Sequence, residues 1–214
     1  MNNNIENVFK NSITETNLSE KQQAVLKASL ELFSQKGFEN TNTKDIAQRA
    51  GVSEGTVYRE FKTKQGILDA ILTPFNNLVI PKLANEFFDD ISQHDNENFE
   101  SFLNYFINNR MHFAIENRDQ IRIFLQEFLH SESLLAAFKN EVEANITMGL
   151  IPILKKYQDN GQIKVMPVQT IVQIILSTTL GYMIPCIVTK KQVSTTDLNE
   201  WSKQATSLIL NGIA

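Results

Sequence analysis

The sequence is poor in residues that cross-link a chain, bind metal or interrupt helices. Its one cysteine, Cys186, can form neither an internal disulfide nor a multi-thiolate zinc site, so no cross-linked extracellular scaffold is implied. Nothing cationic adjoins Cys186 in sequence to stabilise a thiolate, and it reads as a small buried hydrophobe. The histidines, His94, His112 and His130, lie far apart, and only His112 and Glu116, one helical turn apart, have a ligand-like spacing. A surface pair is the simpler reading. Five prolines and eight glycines in 214 residues exclude collagen-like or low-complexity character. Strand signals, a glycine-rich phosphate loop and a Gly-x-Ser-x-Gly elbow are missing too. The chain is therefore not expected to be an enzyme or to hold a metal or cofactor. Residues 1–21 are polar and Asn-rich, with no basic segment leading into an apolar one, so a cytoplasmic location is expected.

What the sequence does have is helical periodicity. Hydrophobic residues make up 42% of the chain and recur at steps of three and four, which predicts an all-α fold of about nine helices. Residues 1–18 read as a flexible arm, with only scattered apolar residues. Ser19, with Gln22 three residues on, caps a first helix that stops at Gly37. Thr43 is expected to cap a second helix ending at Gly51, Ser53 a third, and Thr63 a fourth that runs towards Ile91 with a kink or break at Pro74 and Pro81. Further helices are expected near 98–116, 119–129, 133–157, 167–188 and 196–211. The uncharged stretch 165–189 meets the length rule for a membrane span. Gln169, Gln173 and Ser177 line one of its faces, however, and glutamines without partners in lipid would cost roughly a few kcal/mol. A helix facing other helices or a second subunit is expected instead, and no membrane partner.

The densest information lies between Ser19 and Leu72. Two short helices joined by Gly51-Val52-Ser53 make a helix-turn-helix, whose second member fits a DNA major groove about 12 Å wide. Ser53, Gly55 and Thr56 stand at its leading end, where small side chains allow close approach to bases and phosphates. Tyr58 offers a hydroxyl to a phosphate or packs on the core. Lys62 and Lys64 flank the next helix start, where free N–H groups and a cation favour an anion. Residues 19–68 carry eight basic and six acidic side chains inside a chain of net charge -4, so a local basic excess stands in an acidic whole.

The run from Thr43 through Leu68, with the preceding helix around Ala28, Leu32, Phe33 and Gly37-Phe38, resembles the DNA-binding signature of the tetracycline-repressor family of bacterial transcription regulators. The resemblance implies phosphate contacts by Thr43 and Lys44, groove contacts by Ser53, Gly55 and Thr56, a backbone contact by Tyr58 and a phosphate clamp by Lys64. Glu54 and Glu60 depart from the residues often found there; each either accepts from a cytosine amino group or points to solvent, solvent being favoured. It further implies a DNA-binding domain over 19–66 and a ligand-binding and dimerisation domain over 67–214. The expected partners are duplex DNA with a palindromic operator, a small apolar or amphipathic effector and a second copy of the chain, and the expected role is repression.

Ten of the fourteen phenylalanines fall between Phe75 and Phe138. A helical core explains each singly, but the density also suits an apolar effector cavity, for which Phe102, Phe106, Arg110, Phe113, Phe124, Phe128 and Tyr182 are the expected lining. Ile175, Tyr182, Trp201 and Leu208 on the last two helices are the expected dimer contacts. The rival reading is a small-molecule-binding helical protein or enzyme that keeps the N-terminal helices without reading DNA.

Overall fold

The computed structural model describes residues 4–93, 98–128, 132–189 and 191–213, and among these every regular element is helical. In order they are α1 (Ile5–Thr14), α2 (Glu20–Lys36), α3 (Thr43–Ala50), α4 (Glu54–Phe61), α5 (Lys64–Pro74), α6 (Ile80–Ser92), α7 (Phe99–Glu116), α8 (Arg118–Phe128), α9 (Glu132–Asn145), α10 (Ile151–Asp159), α11 (Val168–Thr189) and α12 (Thr195–Ile213). A π turn, Phe75–Val79, joins α5 to α6, and a second, Ile146–Leu150, joins α9 to α10.

Both π turns stand just ahead of a proline, Pro81 or Pro152. Proline has no N–H for the helix ladder, and its ring crowds the carbonyl four residues back. Those carbonyls belong to Asn77 and Met148, each inside a π turn, where the wider ladder relieves the crowding. The break expected near Pro74 and Pro81 is thus a widened turn in a continuous rod.

Within the stretch expected to be a flexible arm, residues 1–18, Ile5–Thr14 is helical. The Asn4 side chain accepts from the Asn7 backbone N–H at 3.0 Å and caps α1. Ile5, Val8, Phe9 and Ile13 form one buried stripe, and α1 packs on α2, α5 and the first π turn. The Asn-rich composition concealed this: polar residues occupy the outer face and leave the inner one apolar.

The chain forms two compact units: Met1–Leu83 with Asp119–Lys139, and Ala84–Arg118 with Asn140–Ala214. The boundary expected at 66/67 does not hold, because α5 belongs to the first core. Ile67, Leu68, Ile71 and Leu72 are buried with Val25, Leu26, Leu30 and Phe33 of α2, Ile46 of α3 and Val57 of α4. Phe124 of α8 joins the same unit by stacking on Phe75, with ring centroids 3.3 Å apart.

In the second unit α7 packs against both α11 and α12. Phe99 and Phe102 each lie 5.3 Å from the Tyr157 ring. A polar seam sets the register of α12 on α7: the Asn108 side-chain amide donates to Asn199 Oδ1 at 2.8 Å and to Ser202 Oγ at 3.1 Å. Sliding α12 by one residue would break both bonds, so polar groups fix an alignment that apolar packing leaves loose.

Candidate nucleic-acid interface

The first unit presents two short helices in sequence, each with a side-chain cap. Asn42, not Thr43, caps α3, its Oδ1 accepting from the Asp45 N–H at 2.7 Å. Thr43 is thereby moved to the first helical position. Gly51 ends α3 at φ +67°, a conformation open to glycine at little cost, and its N–H turns back to Ala47 and Gln48 carbonyls. Two residues on, Ser53 Oγ accepts from the Thr56 N–H at 3.2 Å and starts α4.

The two helices are linked across the turn. The Thr43 hydroxyl donates to Glu54 Oε1 at 2.8 Å, and the Tyr58 hydroxyl lies 3.2 Å from the same Thr43 oxygen. Glu54 therefore does not simply point to solvent; it ties the start of α4 to the start of α3. Glu60 accepts from the neighbouring Arg59 at 2.8 Å. Behind this face two ion pairs hold α3 on α2, Lys36 with Asp45 at 3.2 Å and Arg49 with Glu31 at 2.5 Å. The Arg49 hydrogen bond holds the Glu31 carboxyl below its ordinary pKa.

The outer face carries Ser53, Gly55, Tyr58 and Arg59, all exposed, with Tyr58 at 51%. Thr56 is half-buried, and its Oγ lies 2.9 Å from Ser53 Oγ. Lys44 at the start of α3 and Lys62 after α4 are exposed, and among the described residues neither has an ion-pair partner. Once Lys36, Arg49 and Arg59 are matched with carboxylates, the basic excess of the sequence reduces near this face to these two lysines and Lys64.

Lys64 departs from the phosphate clamp expected of it. Its ammonium donates to the carbonyls of Phe38 at 2.8 Å and Glu39 at 3.4 Å, and lies 4.3 Å from the Phe38 ring centroid. Two of its three N–H bonds therefore pin the start of α5 to the loop after α2. The segment between α4 and α5 is as tightly specified. Lys62 has φ +62°, ψ −46°, and the Thr63 N–H reaches the Phe61 carbonyl at 2.7 Å, a γ-turn that is rare for a residue with a Cβ. A Cβ on Gly66 would sit 2.3 Å from the Phe61 oxygen, so glycine is what admits this close turn. Asn42, three residues before Asp45, is a cap legible from residue type and spacing, whereas no local pattern marks the γ-turn.

The expected effector lining is divided between the two units, with Phe102, Phe106, Arg110, Phe113 and Tyr182 in the second. Phe102 and Phe106 are buried in the second unit, with ring centroids 6.4 Å apart, and Phe87 lies 5.3 Å from Phe106. The Arg110 guanidinium sits 3.4 Å from the Phe87 centroid and 4.9 Å from that of Phe113. Phe124 belongs to the first unit, and the Phe128 side chain lies outside the described residues, as do His94 and His130. Tyr182 stacks on Trp201 at 5.7 Å within the second unit. Of the other expected dimer contacts, Ile175 is buried in its own unit and has no surface to offer, whereas Leu208 is 66% exposed. Leu180, Ile184 and Val188 form an exposed apolar row on α11 that sequence reading did not single out. Among the described residues, α11 alone has the length and hydropathy to cross a bilayer.

Residues 25–71 match the sequence profile of "Bacterial regulatory proteins, tetR family". Over 49 residues the chain is 47% identical to the HTH-type transcriptional regulator YvkB of Bacillus subtilis (strain 168), a match covering 23% of this chain and 26% of that one. Matches to other curated relatives are equally local, so this chain spans about a quarter of the curated relatives it matches, 24% in a second case. The fold likeness runs much further. The transcriptional regulator FadR from Bacillus subtilis, in complex with stearoyl-CoA, superposes with TM-score 0.62 at 20% identity, over 89% of this chain and 98% of that one. The ketosteroid transcriptional regulator KstR2 of Mycobacterium tuberculosis gives 0.62 at 17% identity, over 94% and 97%.

Proposed function

We infer that this chain, whose residues 25–71 belong to the tetR family of bacterial regulatory proteins, acts in the cytoplasm as a homodimeric repressor, without enzymatic activity, that releases its operator when a small amphipathic effector binds. The observation that carries this reading is the outer face of α4. Ser53, Gly55 and Tyr58 are exposed at a capped helix, and Lys44 and Lys62 beside it make no ion pair among the described residues. In the groove Ser53, Gly55 and Thr56 approach base edges. Lys44, Lys62, Tyr58 and Thr43 meet phosphates, while Lys64 serves chiefly to hold α5 in place.

One such helix reads only a few base pairs. Two placed ~34–36 Å apart read successive turns of a palindrome. The exposed row Leu180, Ile184 and Val188 on α11, with Leu208 on α12, supports a second copy as the partner that buries it. An effector lowers DNA affinity by binding more tightly to a dimer whose two α4 helices are wrongly spaced. That FadR holds stearoyl-CoA on the same fold supports an amphipathic effector.

Selection of bound fragments from genomic DNA, followed by fluorescence anisotropy on the enriched duplex, tests the reading. The expected result is a palindromic site bound with two protomers per duplex, with affinity falling as salt rises. Failure to enrich any sequence overturns it.

A further inference from the structure

Among the described residues Arg110 makes no ion pair. Its guanidinium carbon lies over the Phe87 ring and 4.9 Å from the Phe113 centroid, and burial pushes its pKa down to about 10. It is therefore charged at neutral pH. The only acceptor it has among the described residues is neutral, the Asn109 side-chain oxygen, 3.2 Å from Nε. Asp90 is near enough to be felt, yet it makes no ion pair with Arg110, and it accepts instead from the Tyr105 hydroxyl and from Asn109 Nδ2 at 3.3 Å. Asn109 thus stands between the two charges as a relay. A part-buried guanidinium whose hydrogen bonds among the described residues go to a single neutral oxygen still has a planar fork that matches a carboxylate. The aromatic rings around it exclude water and suit a hydrocarbon chain. Lysine at the surface would need no such surroundings.

We propose that Arg110 anchors the acidic head of an amphipathic effector, a carboxylate whose apolar body lies along the phenylalanines of the second unit. The proposal rests on the effector-responsive reading above and names the effector class. Asn109 and Asp90 are positioning residues that hold the guanidinium edge towards the ligand. Phe87 and Phe113 keep that edge dry, which strengthens its attraction for an anion.

The test compares dodecanoate with dodecanol, both below micelle-forming concentration, by calorimetric titration of the whole chain. Expected is at least about tenfold tighter binding of dodecanoate, the factor that about 1.4 kcal/mol represents. Arg110→Gln should abolish that preference, leaving the two probes equal, without lowering the melting temperature of the ligand-free protein, since it removes an unmatched charge. If Arg110→Gln does not fold, Arg110→Met serves in its place. Arg110→Lys should keep part of the preference, as a point charge without the fork. Equal affinity of the two probes for the unaltered chain, no binding of either, or a preference that survives in Arg110→Gln overturns the proposal. A parallel anisotropy measurement on the selected duplex separates this from the regulator reading. DNA released by dodecanol and not by dodecanoate overturns the anchor alone. A chain that retains no DNA overturns the regulator reading, and the calorimetric comparison then judges the anchor by itself.

Discussion

Lys44 and Lys64 flank the same helix-turn-helix and look equivalent in sequence, but Lys64 is bound to backbone carbonyls while Lys44 is exposed, and on the proposed function salt dependence separates their roles. Each phosphate contact contributes about 0.9 to the slope of log affinity against log salt. A homodimer loses two contacts per substitution, so Lys44→Ala should flatten the slope by about 1.8. Over a fourfold rise in salt, from about 50 to about 200 mM, the gap between unaltered and substituted protein should then shrink by about tenfold. Lys64 already spends two N–H bonds on the Phe38 and Glu39 carbonyls. Lys64→Ala should therefore show in stability, by about 1–2 kcal/mol for charge-assisted bonds at a half-exposed site, while the slope changes little. Urea titration and anisotropy at four salt concentrations measure both quantities on the same proteins. An unchanged slope in Lys44→Ala, or a slope in Lys64→Ala that falls as far as in Lys44→Ala, would refute the assignment.

Other outcomes follow from the same geometry. Phe9→Ala in α1 should cost about 3–5 kcal/mol if α1 stays docked, and less if the whole helix peels away, in which case the denaturant slope also falls; a loss below about 0.5 kcal/mol would restore the flexible arm. Gly66→Ala should destabilise by about 1–3 kcal/mol despite alanine's better helix propensity, because the Phe61 carbonyl must move; calorimetry checks the sign. Lys62→Gly should raise stability by about 1 kcal/mol through relief of the positive φ and yet weaken DNA binding, two changes of opposite direction read by urea titration and anisotropy. Glu31 has its pKa lowered in the folded protein, so its contribution is present above the unfolded carboxyl value and lost as pH falls through the folded one; Glu31→Gln should be less stable at neutral pH and match the unaltered chain in acid.

Much of this was readable from local chemistry. The Ser19 capping box with Gln22, the Ser53 and Thr63 caps and the left-handed Gly51 all stand where side-chain type and spacing put them. Such features need only three or four neighbouring residues, and sequence displays them directly. Thr43 was displaced by one residue because Asn42 takes the cap, its Oδ1 accepting from the Asp45 N–H. The α1 stripe was present at helical spacing, but composition spoke louder than periodicity over a short span. What sequence could not supply was partnership across the chain. Nothing in the order of residues ties Lys64 to Phe38, Arg49 to Glu31 or Phe124 to Phe75, and each of those contacts changed a role or a boundary.

The same distinction bears on charge. The net charge of -4 and the local basic excess over residues 19–68 are both sums that treat every ion as available. Ion pairing removes Lys36, Arg49 and Arg59 from the DNA-facing account, and carbonyl contacts engage most of Lys64. Lys44 and Lys62 remain near α3 and α4, with Lys21 and Lys27 on α2 the other basic residues of the stretch, a small number for the DNA contact proposed above. On the proposed function, long-range attraction to DNA is then weak, and specificity would come from short-range fit made twice by a dimer. This in turn explains why so much of the first unit is spent on rigidity. With few cations to hold the complex, misplacing α4 would not be forgiven by electrostatics, so its start is tied to α3 through Thr43, Glu54 and Tyr58, and its end is locked by the Lys62 γ-turn against Gly66. If the chain acts as proposed, it would be switched by a small change in the spacing of two rigid helices, because α4 carries little loose charge to compensate for the misfit.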